Sequence, residues 1–126
     1  MNILITGADG FIGKNLCQEL SNYSTFKIFK IKKKHSLIDL KKKIELSDII
    51  YHLAGANRET KVKNFKKNNF LFTEQLVNLL KNTKKEVKII YTSSVLATNK
   101  TEYGKTKKSS EIVLRKLRRN KKISLS

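Results

Sequence analysis

Asn2-Ile3-Leu4-Ile5-Thr6-Gly7-Ala8-Asp9-Gly10-Phe11-Ile12-Gly13 opens the chain with a short aliphatic run that stops at three glycines spaced i, i+3 and i+6. The run is short and carries β-branched residues, so it predicts a buried strand over Asn2–Thr6 ending in a tight turn. Downstream, Ile12, Leu16 and Leu20 recur every four residues, which lays one apolar stripe along a helix from Phe11 to Leu20. Each glycine has its own physical use in such a unit. The first permits the sharp turn, the second lets the backbone approach a pyrophosphate resting on the helix N-terminus, and the third lets the helix lie close to the sheet. Strand, turn and helix agree in one place, so Gly7, Gly10 and Gly13, with Phe11 and Ile12 at the helix start, are the expected dinucleotide-binding residues.

Beyond this unit the alternation repeats. Phe26 to Ile31 predicts a second strand, Ile38 to Leu46 a short helix, and Asp48 to Gly55 a third strand closed by small residues. Phe65 to Lys81 carries Phe65, Asn69, Phe72, Leu76, Leu79 and Leu80 at helical spacing. Val87 to Tyr91 predicts a strand ending in Thr92-Ser93-Ser94, and Thr101 to Asn120 a last helix bearing Ile112, Val113 and Leu117; Ile123 and Leu125 open another strand. Strands alternating with helices imply right-handed βαβ units and a parallel sheet with helices on both faces. The expected fold class is therefore α/β, a Rossmann-type doubly wound parallel sheet, incomplete at its C-terminal end and formed as one domain by residues 1–126.

Composition bounds the function. The 126 residues are 39% apolar, enough to bury a core in one domain. Net charge is +18, but it comes from 24 Lys and only four Arg scattered along the chain, whereas a nucleic-acid-reading surface concentrates arginine with aromatics; nucleic acid is discounted as a partner. The basic run Arg115 to Lys122 reads as a solvated helix end whose cations complement the helix dipole, with a cofactor-sensing or nucleic-acid-binding module as the alternative from another class. Cys17 stands alone, which excludes an internal disulfide and leaves no cysteine cluster for a metal. No apolar run approaches the roughly 18 residues of a membrane helix, and Met1 to Gly13 lacks the basic start of a signal peptide, so the expectation is a cytoplasmic protein with no membrane partner.

Two further groups of residues carry chemistry. A dinucleotide site for NAD places an acid at the end of the second strand, and one for NADP a basic residue that receives the 2′-phosphate. This chain offers Lys32, Lys33 and Lys34 there, which favours NADPH, with NAD as the alternative. Tyr103 and Lys107 lie four apart on the last helix, and an ammonium beside a phenol favours phenolate, so a tyrosine so placed can exchange a proton with a substrate oxygen. Spacing alone decides nothing, because in so lysine-rich a chain a tyrosine meets a lysine at i+4 about once in five, as Tyr23 and Lys27 do. Placement does decide: Tyr103 follows Thr92-Ser93-Ser94 at the carboxyl end of a strand, where open parallel sheets bind ligands, and Ser94 can hydrogen-bond the same oxygen. Tyr23 is assigned to surface packing.

Together, the glycine turn, His52-Leu53-Ala54-Gly55, Asn69 before Thr73, Thr92-Ser93-Ser94 and Tyr103 with Lys107 resemble the extended short-chain dehydrogenase/reductase family, the NAD(P)-dependent epimerases, dehydratases and reductases of nucleotide sugars. More narrowly, His52 to Arg58 and Ser93 to Thr98 followed by Tyr103-Gly104 resemble the capsular-polysaccharide reductases, which use NADPH to reduce the keto group of a UDP-linked 2-acetamido-2,6-dideoxy sugar. The resemblance implies that Tyr103 is the general acid, Lys107 its activator and the holder of the nicotinamide ribose, and Ser94 the substrate-orienting hydroxyl, with Ser93 as fallback. It implies that Leu53, Ala54 and Gly55 line the cofactor cleft, that Asp39 and Leu40 sit by the adenine, that Asn69 supports the site, and that Asn57 and Arg58 meet the UDP-sugar substrate. His52 is expected to be a satisfied core residue rather than a base. An epimerase or dehydratase that recycles its cofactor is the alternative within the family, and the resemblance implies a homodimer. Members continue past the Tyr-Lys helix, so a truncated or split product, holding the cofactor half and impaired in turnover, is expected.

Overall fold

The computed structural model describes residues 1–55, 70–93, 100–120 and 123–125. Strand β1 (Asn2–Thr6) leads into helix α1 (Phe11–Ser21), then β2 (Lys27–Ile31), α2 (Leu37–Leu46), β3 (Ile49–His52), α3 (Phe72–Lys81), β4 (Val87–Tyr91), α4 (Glu102–Asn120) and β5 (Ile123–Leu125). The strands form one five-stranded sheet in the order β2-β1-β3-β4-β5, and every pairing is parallel. The crossovers are long enough for a helix each, as parallel pairing requires. Strand order is reversed on either side of β1, which puts a switch point, and therefore a crevice, between the carboxyl ends of β1 and β3.

Side chains of successive strand residues point to opposite faces, and the core divides accordingly. Leu4, Ile31, Ile50, Val87 and Ile89 face one side, where Leu40 and Ile44 of α2, Leu76, Val77 and Leu80 of α3, and Leu114 and Leu117 of α4 close over them. Ile3 and Ile5 face the other side, against Ala8 and Cys17 of the α1 unit. Because the strands are parallel and each of β1 to β4 is followed by a helix, each helix starts on the side of the strands' carboxyl ends. Among the described residues no helix is long and apolar enough to cross a membrane.

Element boundaries differ from the sequence reading at one informative place. The third strand ends at His52 rather than Gly55: the Leu53 N–H makes the last ladder bond, to the Thr6 carbonyl at 3.3 Å, and the next N–H, that of Ala54, donates to the side chain of Thr6, Oγ1 at 3.3 Å. The helix expected from Phe65 is described as α-helix from Phe72, with Phe70 and Leu71 in a wider helical turn before it and residues 65–69 outside the described part.

Candidate functional site

The glycine turn is built by close approach. Gly7 has φ +70°, in the left-handed region, and a Cβ there would stand 2.8 Å from Ala54 Cα and N. The Gly10 N–H closes the turn on the Gly7 carbonyl at 3.0 Å, and the Lys14 N–H starts α1 on the Gly10 carbonyl at 2.9 Å. At Gly13 a Cβ would lie 2.2 Å from Gly7 O, so this position holds α1 against the turn. Gly10 differs: among the described residues a Cβ would meet only Gly7 O, at 3.3 Å. Nothing among the described residues requires glycine here so strictly, whereas a ligand resting on the turn would.

The start of α1 has the electrostatics for such a ligand. Helix α2 satisfies its own N-terminus, with Ser36 Oγ accepting from the Asp39 N–H at 3.0 Å and Asp39 in the first turn. Helix α1 has no side-chain cap and no acidic residue in its first turn, and Phe11 and Ile12 are exposed. Its first N–H groups and the positive end of its dipole face outward, an arrangement that fits the pyrophosphate of a dinucleotide.

The end of β2 abuts this turn. The Ile31 carbonyl accepts from the N–H groups of Gly7 at 3.1 Å and Ala8 at 3.4 Å. Lys32, Lys33 and Lys34 are exposed, and the Lys32 ammonium lies 3.7 Å from the Asp9 carboxylate. The expected adenine neighbours divide. Asp39 stands on the first turn of α2 with its carboxylate 2.7 Å from Lys43, but Leu40 is fully buried in the core, which corrects its expected place by the adenine: the apolar stripe of α2 turns it onto the sheet. Leu53 and Ala54 are half-buried and Gly55 exposed, beside Gly7 in the crevice between β1 and β3.

His52 is a core residue. It is fully buried, with Nδ1 2.8 Å from Thr6 Oγ1 and Nε2 2.8 Å from Thr73 Oγ1, its ring 5.4 Å from that of Tyr91 and edge-on to Phe72. Burial, reinforced by the Lys107 charge, lowers its pKa to about 3, so the ring is neutral with one nitrogen donating and the other accepting.

The α4 residues meet the end of β4. Thr101 starts the helix, its Oγ1 accepting from the Gly104 N–H at 3.1 Å and its carbonyl from the Lys105 N–H at 2.9 Å. Lys107, only 4% exposed, donates to the Thr92 carbonyl at 3.0 Å, with its ammonium 4.9 Å above the Tyr91 ring. Burial lowers its pKa to about 8, an effect that Glu111 reduces. Tyr103 is half-buried one helical turn before Lys107. A phenol and a fixed ammonium at the carboxyl edge of a parallel sheet can together pass a proton to a substrate oxygen. The Ser93 hydroxyl, the expected fallback, donates to the Glu111 carboxylate. Ser94, Asn57, Arg58 and Asn69 lie outside the described residues.

Sequence reasoning missed Tyr91 and Glu111. The Tyr91 phenol is enclosed beside Ser110, and burial pushes its pKa well up, partly offset by Ser110. As the last residue of an aliphatic strand it carried no signal of its own. Glu111 did: it follows Lys107 at i+4, the spacing already used for Tyr103.

The chain is similar to known proteins along most of its length. The family model described as "NAD dependent epimerase/dehydratase family" matches residues 3–122. The chain is 35% identical over 111 residues to a UDP-2-acetamido-2,6-beta-L-arabino-hexul-4-ose reductase of Pseudomonas aeruginosa, covering 88% of this chain and 30% of that protein. Among solved structures it is similar to the capsular polysaccharide assembling protein CapF from Staphylococcus aureus, with TM-score 0.84, 33% identity, and coverage of 99% of this chain and 34% of that one. It is also similar to the UDP-glucuronic acid 4-epimerase from Bacillus cereus in complex with NAD, with TM-score 0.85, 25% identity and coverage of 99% and 55%. The chain thus spans about a third of the reductase and about half of the epimerase.

Proposed function

This chain belongs to the NAD-dependent epimerase/dehydratase family, and on that premise we propose that residues 1–126 are the NAD(P)-binding Rossmann part of an NADPH-dependent reductase acting on a UDP-linked keto-deoxy amino sugar in surface polysaccharide synthesis. The observation that carries the reading is the placement of Lys107, buried and fixed on the Thr92 carbonyl one turn after Tyr103, at the edge of the sheet to which the glycine turn also opens. The likeness to the Pseudomonas reductase supports the substrate class, and the likeness to CapF supports the polysaccharide context.

Gly7, Gly10 and Gly13 with the first turn of α1 hold the pyrophosphate, Lys32 and Lys33 receive the 2′-phosphate, and Leu53, Ala54 and Gly55 line the cleft. When bound, NADPH supplies the hydride. Tyr103 donates its phenolic proton to the sugar carbonyl oxygen as that oxygen gains charge, and Lys107 holds the nicotinamide ribose and favours the phenolate left behind. Ser94 orients the carbonyl, Asn57 and Arg58 meet the nucleotide sugar, and Asn69 supports the site. His52 takes no part in proton transfer, since both ring nitrogens are engaged within the core.

The test is NADPH consumption in a single turnover, with the chain in excess over a UDP-linked 2-acetamido-2,6-dideoxy-4-keto sugar. We expect consumption by the wild type, and none by Tyr103→Phe while NADPH binding is retained. Equal consumption by both sinks the assignment of Tyr103, and none by the wild type removes reductase activity from this chain. The likeness to the NAD-bound epimerase favours a second reading, an epimerase or dehydratase, which predicts cofactor that co-purifies and is never consumed.

A further inference from the structure

The two nicotinamide dinucleotides differ only at the 2′ position of the adenosine ribose, and the structure puts two opposite charges together where β2 ends. The Gly7 and Ala8 N–H groups both donate to the Ile31 carbonyl, which locks the glycine turn against the last residue of β2. That lock sets the Asp9 carboxylate 3.7 Å from the Lys32 ammonium. Both side chains line a cavity of about 350 Å³ that Lys14 and Lys30 also line. In dinucleotide sites an acid at this place accepts the ribose hydroxyls of NAD, and a basic residue receives the 2′-phosphate of NADP. This chain has the base on β2 and supplies an acid from a different element, the turn between Gly7 and Gly10.

We propose that Asp9 is a specificity-determining residue of this site, accepting the ribose 2′-hydroxyl of NADH and holding Lys32 back from the 2′-phosphate of NADPH. The inference rests on the dinucleotide reading above. A 2′-phosphate must take Lys32 from Asp9 and then lie beside a carboxylate, while a 2′-hydroxyl can donate to Asp9 and leave the pair intact. Lys14 and Lys30 soften the repulsion. The Cys17 thiol on the same wall adds no charge near neutral pH, since burial raises its pKa above the ordinary 9.0. Asp9 and Lys32 are about half exposed, so the penalty on NADPH is modest: about tenfold at low salt, shrinking as salt is added.

The test is a fluorescence titration of the full 126-residue chain with NADPH and with NADH, for the wild type, Asp9→Asn, Lys32→Gln and the double variant. Asp9→Asn should tighten NADPH about tenfold at low salt and leave NADH unchanged or weaker, with the shift shrinking in higher salt. Lys32→Gln should move the ratio the opposite way, and in its background Asp9→Asn should do less. An unchanged NADPH-to-NADH ratio in Asp9→Asn, with both cofactors still binding, overturns the role of Asp9 and leaves the dinucleotide site standing. A folded wild type that binds neither cofactor overturns the dinucleotide site and the role of Asp9 with it.

Discussion

Replacing Gly10 by alanine should separate the cofactor site from the fold. At φ −72°, ψ 168° the Gly10 backbone is in the extended region, which alanine adopts without strain. Among the described residues the added Cβ would meet one atom, Gly7 O, at 3.3 Å. Alanine caps a helix less well than glycine, by up to about 1 kcal/mol, and restricts the unfolded chain, which returns roughly 0.4–1 kcal/mol. The two nearly cancel, so stability should change by no more than about 1 kcal/mol. Gly13→Ala is different, because its Cβ would stand 2.2 Å from Gly7 O and 2.8 Å from Ala8 Cα, backbone atoms that yield only if the turn moves. Overpacking of about 1–3 kcal/mol or more outweighs the roughly 1 kcal/mol that alanine gains in a helix interior. Gly7→Ala adds about 1–2 kcal/mol of left-handed backbone strain to a 2.8 Å clash with Ala54. Urea denaturation followed by circular dichroism ranks the three variants, and NADPH fluorescence reads binding for Gly10→Ala, which should weaken at least tenfold, about 1.4 kcal/mol. Gly10→Ala binding within about twofold of the wild type, or losing as much stability as Gly13→Ala, would refute the reasoning.

Lys107→Met should stabilise the chain at neutral pH by about 1–2 kcal/mol, since removing a buried ammonium outweighs the loss of its hydrogen bond to Thr92 and its contact with the Tyr91 ring; an unchanged or lower denaturation midpoint contradicts this. The same residue sets an alkaline pH dependence. Its folded pKa of about 8 lies below the ordinary 10.5, so the burial cost of about 3 kcal/mol is fully present below pH 8 and disappears as pH rises to 10.5, a gain that Lys107→Met should lack. His52 sets the acid limb, because its pKa falls from 6.5 to about 3 on folding. Stability is complete above pH 6.5 and should decline steadily toward pH 3, with the decline flattened in His52→Gln when urea midpoints are measured across that range. Leu4→Ala, at the centre of the larger core, should cost about 2–5 kcal/mol in the same denaturation assay.

The fold was legible because its signals are local. β-branched runs of about five residues and apolar stripes at i, i+4 place β1, α1, β2, α2 and β4 within a residue or so of where they lie. Strand order was not legible, since pairing of β1 with both β2 and β3 depends on contacts between residues far apart in sequence. The early end of β3 was hidden for the same reason: the Ala54 N–H leaves the ladder for Thr6 Oγ1, and no pattern within residues 48–55 announces it. At the site, Tyr103 and Lys107 could be found because they share a helix face, whereas Asp9 and Lys32 meet only through the Ile31 carbonyl. Leu40 was misplaced because a family position was carried onto a residue whose own helix turns it into the core.

The central claim is that the glycine turn and the lysines at the end of β2 form an NADPH site within these 126 residues. Fluorescence titration of the wild-type chain with NADPH and NADH, once circular dichroism shows it folded, tests this most directly. We expect saturable binding of both cofactors with NADPH the tighter, and a folded chain that shows no saturation with either would contradict it.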